Sequence, residues 1–394
     1  MAEASANLLS PFAPLSMRTV WWFVLTLGCL LLATRAAVFS AEPAWKIEWE
    51  KTVEAAKKEG QISVYGSDTF EFFLQGAFQK KYPEIKLGFV GGRAPVVGPK
   101  LITERRAGKY LADLILTGPG TPYRILYKNK ALDPIGPALM LPEVLDESKW
   151  WQGRHHYVDQ ENKYVFIYEA TVQSGDLAYN TQLVKPEELK SYWDLLQPRW
   201  RGKMVAMDPK VSGAVSRGIR FFYFQPELGP KFITKLFAET DIALARDFTQ
   251  MLDWLATGKF SLGVFVGSSE SAKAMSQGLP IKDFSPGHFK EGAAVSPFNG
   301  TVAFVNRAPH PSAAKVLINW LLSREGQVAV QQHLASEGNV RESLREDIPK
   351  DIIPLSHRRE SKVKYLMISR AADIDGENAA LKLANDALAG AKKK

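Results

Sequence analysis

The chain has 394 residues, 46% of them hydrophobic and 23% charged, which is typical of a globular protein of about two domains. Its net charge of +8 is spread along the sequence and suits an anionic ligand or membrane surface, while no basic helix interleaved with aromatic residues indicates nucleic-acid binding. The single cysteine, Cys29, excludes an intramolecular disulfide and thiolate-rich zinc or iron–sulfur sites.

The first 40 residues have the pattern of a signal peptide or an N-terminal membrane anchor. An apolar run at 20–33 follows Arg18, and it is shorter than the ~20 residues of a membrane span. Residues 38–40 permit cleavage before Ala41. Lipidation of Cys29 is a weaker alternative, since that residue lies inside the apolar run rather than at its end. We expect the chain from about Ala41 onward to lie outside the cytoplasm, in the periplasm or the extracellular space.

Residues 60–121 alternate between strand and helix patterns. Short β-favouring runs at 62–65, 85–89 and 111–117 are separated by helical patterns, and Asp68 with Glu71 has the spacing of a capping box. This alternation predicts a parallel sheet whose ligand lies beyond the carboxyl ends of the strands. The small or polar residues expected at that edge are Ser67, Asp68, Gly92, Arg93, Thr117 and Gly118.

Arg93 is the charged member of this set. A guanidinium can hold a carboxylate or phosphate through two parallel hydrogen bonds, although a solvated loop arginine is an equally ordinary interpretation. The glycines, Ser67 and Asp68 also suit plain turns, so the set as a whole indicates a site more strongly than any single member.

The second half of the chain repeats the same succession of strand, polar turn and helix patterns. Strand patterns at 203–207 and 261–266 each precede a polar turn and a helix, and a strand pattern at 295–305 contains Pro297 and Asn299. Two α/β lobes that face each other would bring these turns around one cleft. The candidate ligand-binding residues there are Asp208, Ser212, Gly213, Ser268, Ser269 and Asn299. Asp208 before Pro209 also suits a simple turn, and Asn299 also suits a bulge.

No catalytic or metal-binding pattern is visible. His155 and His156 are adjacent, but no carboxylate or third histidine lies at a useful spacing. Gly-x-Ser-x-Gly, Walker and His-Glu-x-x-His patterns are absent from the sequence. We therefore expect no cofactor, no resident metal and no catalytic residues.

Several short motifs, in order along the chain, resemble the extracellular solute-binding proteins of ABC importers, in particular the group that contains the ferric-iron-binding proteins. They occur at 55–60 (AAKKEG), 77–83 (AFQKKYP), 112–114 (ADL), 178–181 (AYNT), 193–196 (WDLL), 201–203 (RGK), 278–281 (GLPI) and 321–327 (LLSREGQ). Each motif is weak alone, and the ordered set covers about 45–330. It says little about the ligand.

The resemblance implies a type II periplasmic-binding-protein-like α/β fold, with two lobes joined by hinge strands and a ligand cleft between them. Lobe 1 is expected at 41–174 plus 292–335, lobe 2 at 175–291, and C-terminal helices with a charged tail at 336–394. The crossing strands are expected near 177–179 and 294–302. The implied partners are a small solute and the membrane subunits of an ABC transporter, with the chain acting as a monomer.

One departure from the resemblance concerns iron. Ferric-binding relatives carry an adjacent Tyr-Tyr pair in the second lobe, whereas this chain has Phe265 and Val266 at the corresponding place, followed by Gly267, Ser268 and Ser269. Hydroxyls and backbone N–H groups at a helix start suit an oxyanion or a small organic anion. The expected function is thus a solute receptor for a small anion. Two alternatives stay open: a ferric-iron or iron-chelate carrier with non-standard ligands, and an enzyme on the same bilobal fold.

Overall fold

The structure, a computed structural model, describes residues 42–172, 177–210 and 214–391. The expected signal or anchor segment, and with it Cys29, lies outside the described residues, as do Ser212 and Gly213. Glu48–Lys394 group into one unit, and the sheets and the cavity described below belong to it. Of the helices that the structure describes, none has both the length and the apolar character needed to cross a membrane.

Strands and helices alternate along much of the described chain. The strands are β1 Gln61–Gly66, β2 Lys86–Gly91, β3 Leu114–Thr117, β4 Leu132–Asp133, β5 His156–Tyr157, β6 Val165–Ile167, β7 Thr171–Val172, β8 Leu177–Asn180, β9 Met204–Met207, β10 Ala243–Ala245, β11 Leu262–Val264, β12 Ile281–Asp283, β13 Ala293–Ser296, β14 Thr301–Val305 and β15 Tyr365–Met367. The α-helices are α1 Ala44–Glu59, α2 Thr69–Phe73, α3 Gln79–Lys81, α4 Ala94–Arg106, α5 Pro142–Leu145, α6 Ala214–Phe224, α7 Gly229–Glu239, α8 Phe248–Ala256, α9 Ser268–Ser276, α10 Pro311–Leu322, α11 Arg324–Ser336, α12 Ala371–Asp375 and α13 Glu377–Ala391.

The first lobe contains a sheet of seven described strands in the order β2-β1-β3-β14-β6-β5, with β4 on β14. β1 pairs in parallel with β2 and β3, and Gly66 is in register with Gly91 and Leu116. β14 runs antiparallel to β3, with Thr301 opposite Thr117. The carboxyl ends of the three parallel strands and the amino end of β14 therefore share one edge of the sheet.

The second lobe contains a five-stranded sheet among the described residues, in the order β10-β9-β11-β8-β12. β9 pairs in parallel with β10 and β11, whereas β8 runs antiparallel to β11 and β12. The predicted strands at 203–207 and 261–266 are thus present as β9 and β11. Helices α6 and α9 follow them, so these helices begin on the carboxyl-end side of the sheet.

A small third sheet, in the order β15-β13-β7, connects the lobes. The strand pattern at 295–305 is divided between two sheets: β13 pairs with β7, and after a break at Pro297–Gly300 the chain enters the first sheet as β14. Residues 177–179, near which a crossing strand is expected, begin β8 of the second sheet, and the chain between β7 and β8 lies outside the described residues. Strand propensity alone does not tell which sheet a short apolar run joins, because that depends on its neighbours.

Each lobe has its own hydrophobic core, and the C-terminal segment contributes to both. Met367, Ala371 and Ile374 are buried in the first core, and α13 buries Ala380 and Ala384 in the second, where it packs on α6 and α7. The pattern at 340–394 suggested charged surface helices. The structure differs from this expectation, because the helices of this segment bury apolar side chains in both cores. The expected lobe boundaries stay a prediction.

Candidate functional site

Four of the predicted residues meet at the shared edge of the first sheet. The Asn299 Nδ2 donates to Ser67 Oγ at 3.3 Å. Gly118 lies against the same loop, and a Cβ on it would come 2.6 Å from the Phe298 carbonyl oxygen. Thr117 is fully buried and accepts a hydrogen bond from the Thr301 hydroxyl at its carbonyl oxygen. The sheet register brings these residues together, as the strand order implies.

The other three predicted residues of this lobe lie beside that group. The Asp68 carboxylate packs against Gly91, and the Gly92 N–H donates to the Gly66 carbonyl oxygen at 3.1 Å. Asp68 precedes α2 but makes no side-chain capping hydrogen bond, so the predicted capping box is wrong. Its backbone is already helical, which turns the side chain away from the N–H groups it would cap. Arg93 is exposed immediately before α4.

The second-lobe residues lie after β9 and β11. Asp208 accepts from the Lys210 N–H at 2.9 Å, which is the hydrogen bond of a local Asx turn. Ser268 and Ser269 begin α9, directly after Gly267 with a φ of 88°. Phe265, where ferric-binding relatives would carry a tyrosine, is fully buried and packs on Phe222.

A cavity of about 340 Å³ lies between the two lobes and the C-terminal segment. Its described lining comes from four parts of the chain: the loop after β3 with the π-helix Pro122–Tyr127 that follows it, helix α6, the end of β13 with the break before β14, and the segment from Ser369 to α13. The residues are Pro119, Gly120, Arg124, Ser216, Arg217, Arg220, Ser296, Phe298, Asn299, Ser369, Ile374 and Glu377. Asn299 belongs both to the residues that meet at the sheet edge and to the lining of this cavity. Arg93 and Asp208 are not among the lining residues.

Positive charge dominates the described lining. Arg124 pairs with Glu377 at 2.7 Å and also donates to the Ile374 carbonyl oxygen at 2.6 Å. Burial lowers the pKa of Arg220, whose Nε has no hydrogen-bond partner among the described residues. The Arg217 guanidinium lies over the Phe298 ring, 5.3 Å from its centroid. An oxygen acceptor in the cavity would give the Arg220 Nε the partner that it lacks among the described residues.

A buried carboxylate, Glu169, lies behind the Phe298–Asn299 turn. Burial raises the pKa of Glu169 to about 7, while the Arg341 charge and the N–H groups of Asn299 and Gly300 oppose that shift. A Cβ at Gly300 would overlap the Glu169 side chain, since it would lie 1.6 Å from Cγ. Arg341 in turn lies over the Phe298 ring at 3.5 Å. The turn that carries Asn299 is thus packed from behind by the Glu169 and Arg341 side chains.

The sequence analysis missed most of the cavity lining. Arg217 and Arg220 are three residues apart on α6, the helix expected after the strand at 203–207, so they lie near one another on one helical face. That spacing was a usable signal. Arg124, Ser369 and Glu377 reach the cavity only through tertiary packing, so the local sequence around each residue does not predict its place in the lining.

The adjacent histidines are not arranged as metal ligands. The His155 Nε2–H donates to the Val144 carbonyl oxygen and the His156 Nε2–H to that of Trp151, each at 2.8 Å. Burial lowers the pKa of His156 to about 4. Across 42–172, 177–210 and 214–391, no group of three or more His, Cys, Asp or Glu residues is placed to hold a metal ion.

Two lobes with a polar cavity between them define the class of bilobal solute-binding proteins. The chain belongs to the bacterial extracellular solute-binding protein family, whose model matches residues 64–328. It is the solute-binding component of an ABC transporter, a class that binds small solutes and works with membrane permeases. No curated protein matches it significantly in sequence.

Solved structures with the same fold come from several bacteria. A Trichodesmium IdiA/FutA protein in complex with iron and citrate is 19% identical, with a TM-score of 0.58 over 83% of this chain and 99% of that one. A Bordetella ferric binding protein is 17% identical, with a TM-score of 0.59 over 83% and 98%. Iron-bound HitA from Pseudomonas aeruginosa is 20% identical, with a TM-score of 0.51 over 83% and 99%. At this identity the likeness shows the fold alone.

Proposed function

We propose that this solute receptor takes a small anion into the cavity between its lobes and passes it unaltered to the permease. The observation that carries the proposal is the convergence of Arg124, Arg217 and Arg220 on one cavity that also offers Ser216 and Ser369. Guanidinium groups are suited to binding carboxylates and phosphates because they present several fixed donors.

The remaining features belong to the same proposal and are supported by the family and by the sequence pattern. An N-terminal signal or anchor exports the chain, which works as a monomer in the periplasm or outside the cell. The turns at Ser67, Thr117 and Asn299 complete the site from the first lobe, and the lobes close on the solute as in other hinged binding proteins. Binding energy rather than bond making is the mechanism, which agrees with the transport role of the family.

Calorimetry with a panel of small anions, and spermidine as a cationic comparison, tests the proposal. We expect an anion to bind, and Arg217→Gln or Arg220→Gln to weaken that binding roughly 10- to 150-fold, because a hydrogen bond to a charged group contributes about 1.5–3 kcal/mol. Arg201→Ala is the matched control, since Arg201 is exposed and precedes β9 at the opposite end of that strand. Binding of spermidine alone, or equal affinities in all variants, would contradict the proposal.

Ferric iron is the competing cargo, and Phe265 argues against it. Fe(III) prefers anionic oxygen donors, and the buried phenyl ring at this position supplies none. A visible charge-transfer band on adding ferric citrate would favour iron over a metal-free anion.

A further inference from the structure

Glu169 lies directly behind a turn that forms part of the cavity wall. Phe298 and Asn299 of this turn line the cavity. The N–H groups of Asn299 and Gly300 interact with the Glu169 carboxylate and favour its ionised form. A Cβ on Gly300 would lie 1.6 Å from the Glu169 Cγ, so the turn and this side chain are in close contact. A change of charge on Glu169 therefore acts on the turn that carries two lining residues.

The burial of the Glu169 carboxylate is only partly compensated. The residue is 2% exposed, and its Oε2 has no hydrogen-bond partner among the described residues. Arg341 favours the ionised form, and its guanidinium lies 3.5 Å from the centroid of the Phe298 ring. The adjacent Glu342 pairs with Arg359 at 3.2 Å instead. With a pKa of about 7, Glu169 gains and loses its proton near neutral pH.

Other groups near the turn and the cavity also respond to pH. The titratable and charged side chains of the surrounding elements include Tyr168, Arg217, Arg341, Lys350, His357 and Asp373. The arginines keep their charge, and burial moves the pKa values of Tyr168 and His357 away from neutrality. Burial lowers the pKa of Lys350 to about 8 and raises the pKa of Asp373. Substitution of Glu169 alone therefore isolates its contribution.

We propose that Glu169 is a positioning residue of the solute site and that its proton and the solute bind cooperatively, which rests on the anion-binding function proposed above. A solute anion against Phe298 and Asn299 places negative charge in front of the turn. It disfavours a second negative charge on Glu169 behind the turn, and by linkage the neutral Glu169 favours the anion. Only the charge of Glu169 differs between the two states, so the direction of this coupling holds whatever the total charge of the lining.

Benzenesulfonate, benzoate and sulfate are suitable probes, because each keeps its own charge between pH 5.5 and pH 8. We expect calorimetry to show that the affinity of the wild type falls roughly two- to fifteenfold over this range, the effect of two charges roughly 10 Å apart when the effective dielectric constant lies between about 80 and 20. Near pH 7 binding should also take up part of a proton. This uptake appears as a binding heat that depends on the ionisation enthalpy of the buffer.

Glu169→Gln keeps the shape of the side chain and is neutral at every pH. We expect it to bind at pH 8 about as tightly as the wild type does at pH 5.5, with no proton uptake at pH 7. Damage to the turn would instead weaken binding at both pH values. Asp283→Asn is the matched control, since burial raises the pKa of this carboxyl to about 6 and Asp283 is not among the residues that line the cavity. Its pH profile should follow that of the wild type.

Arg341→Gln tests the same coupling with Glu169 in place. The Arg341 charge lowers the pKa of Glu169, so its removal should move the midpoint of the affinity profile to higher pH. An unchanged midpoint would contradict the proposal, and this comparison is available even where Glu169→Gln does not fold.

These results separate the inference from the function on which it rests. If an anion binds and the wild type and Glu169→Gln share one pH profile, or if the wild type binds more tightly at pH 8, the receptor stands and the role of Glu169 is wrong. An anion that itself titrates serves equally in this comparison, because its own titration is common to both proteins. If no anion binds to the intact protein, both are wrong.

Discussion

Phe298 holds a left-handed backbone conformation, with a φ of 43°, that bulky residues rarely adopt. Such a conformation costs roughly 1–3 kcal/mol and persists only where the surroundings fix it. Here the guanidinium groups of Arg217 and Arg341 both lie over the ring, and Asn299 follows in the chain. The strained turn positions the Asn299 amide at the sheet edge and ties α6 of the second lobe to the first.

Glu169 gives the protein a predictable pH dependence. Its folded-state pKa of about 7 is above the ordinary value of 4.5, so the folded chain holds a proton that the unfolded chain releases between those values. The free energy of unfolding should therefore fall as pH rises from about 4.5 to 7, at about 1.4 kcal/mol for each pH unit of the pKa difference.

Urea unfolding of the wild type and of Glu169→Gln at pH 5 and pH 8 measures this effect. We expect the variant to gain stability relative to the wild type on going from pH 5 to pH 8. Glu337→Gln, a change at an exposed position, is the control, and its stability should follow that of the wild type at both pH values. A parallel pH response in the wild type and Glu169→Gln would contradict the assignment.

At the scale of elements, one buried amide adds polar contacts to the apolar packing of α10 in its lobe. The Asn319 Oδ1 accepts from the N–H groups of Met140 and Leu141 at 2.7 and 3.1 Å, and its Nδ2 donates to the carbonyl oxygens of Ala138 and Lys315. All the hydrogen-bonding positions of this side chain on α10 are used, which explains a polar residue in a fully buried place.

Asn319→Ala should lower the free energy of unfolding by about 2–4 kcal/mol, because each buried N–H group left without a partner costs about 1–3 kcal/mol. The exposed Asn129 donates one hydrogen bond to the Ile125 carbonyl oxygen. Asn129→Ala should change stability by less than about 1 kcal/mol. Urea unfolding measures the free energy of unfolding of both variants. A similar loss in both would show that the buried hydrogen bonds of Asn319 stabilise the protein no more than an exposed one does.

The sequence predicted the helices and strands well where the hydrophobic periodicity was regular. It predicted them less well where the pairing of strands determined how a segment divides between sheets. The strands at 62–65, 203–207 and 261–266 were found from β-favouring runs next to turns. The single strand expected at 295–305 is two strands, β13 and β14. Such choices depend on neighbours that are distant in sequence.

The residues of the candidate site also fall into those whose placement the sequence predicts and those whose placement depends on distant contacts. Ser67, Thr117 and Gly118 come together because parallel strands end at one edge, a rule that needs only the strand order. Asn299 joins them because the antiparallel β14 begins at the same edge. Glu377 lies 253 residues from Arg124, so nothing local to either residue predicts their contact. The role of every predicted contact residue remains a prediction.

For the whole molecule, the C-terminal segment spans both lobes. Asp375 accepts from Tyr123 at 2.6 Å and pairs with Lys128 at 2.6 Å, both in the first lobe. The helix that follows, α13, packs on α6 and α7 of the second lobe. Opening of the cleft would have to stretch or break this connection.

Asp375→Ala should therefore raise the open population of the solute-free protein. The exposed Lys128 ion pair contributes about 0.2–1 kcal/mol and the Tyr123 hydrogen bond to the charged carboxylate about 1.5–3 kcal/mol, so the ratio of open to closed forms should rise at least about tenfold. Single-molecule energy transfer between dyes at Lys109→Cys and Lys231→Cys, both exposed positions, measures this ratio. Lys382→Ala, which removes an ion pair internal to α13, should leave it unchanged. Identical distributions in all three proteins would show that the connection does not restrain the lobes.

The place of β14 in the first sheet has a consequence for biosynthesis. This strand lies between β3 and β6, yet it is made about 180 residues after β3, when the intervening lobe has already been translated. Until residue 305 emerges, β3 and β6 are unpaired on that side, and unpaired strand edges favour aggregation. A fragment that stops before β14 would lack the middle of its own sheet and the residues of α10 and α11 that its core contains, so we expect simple truncation not to yield a folded first lobe.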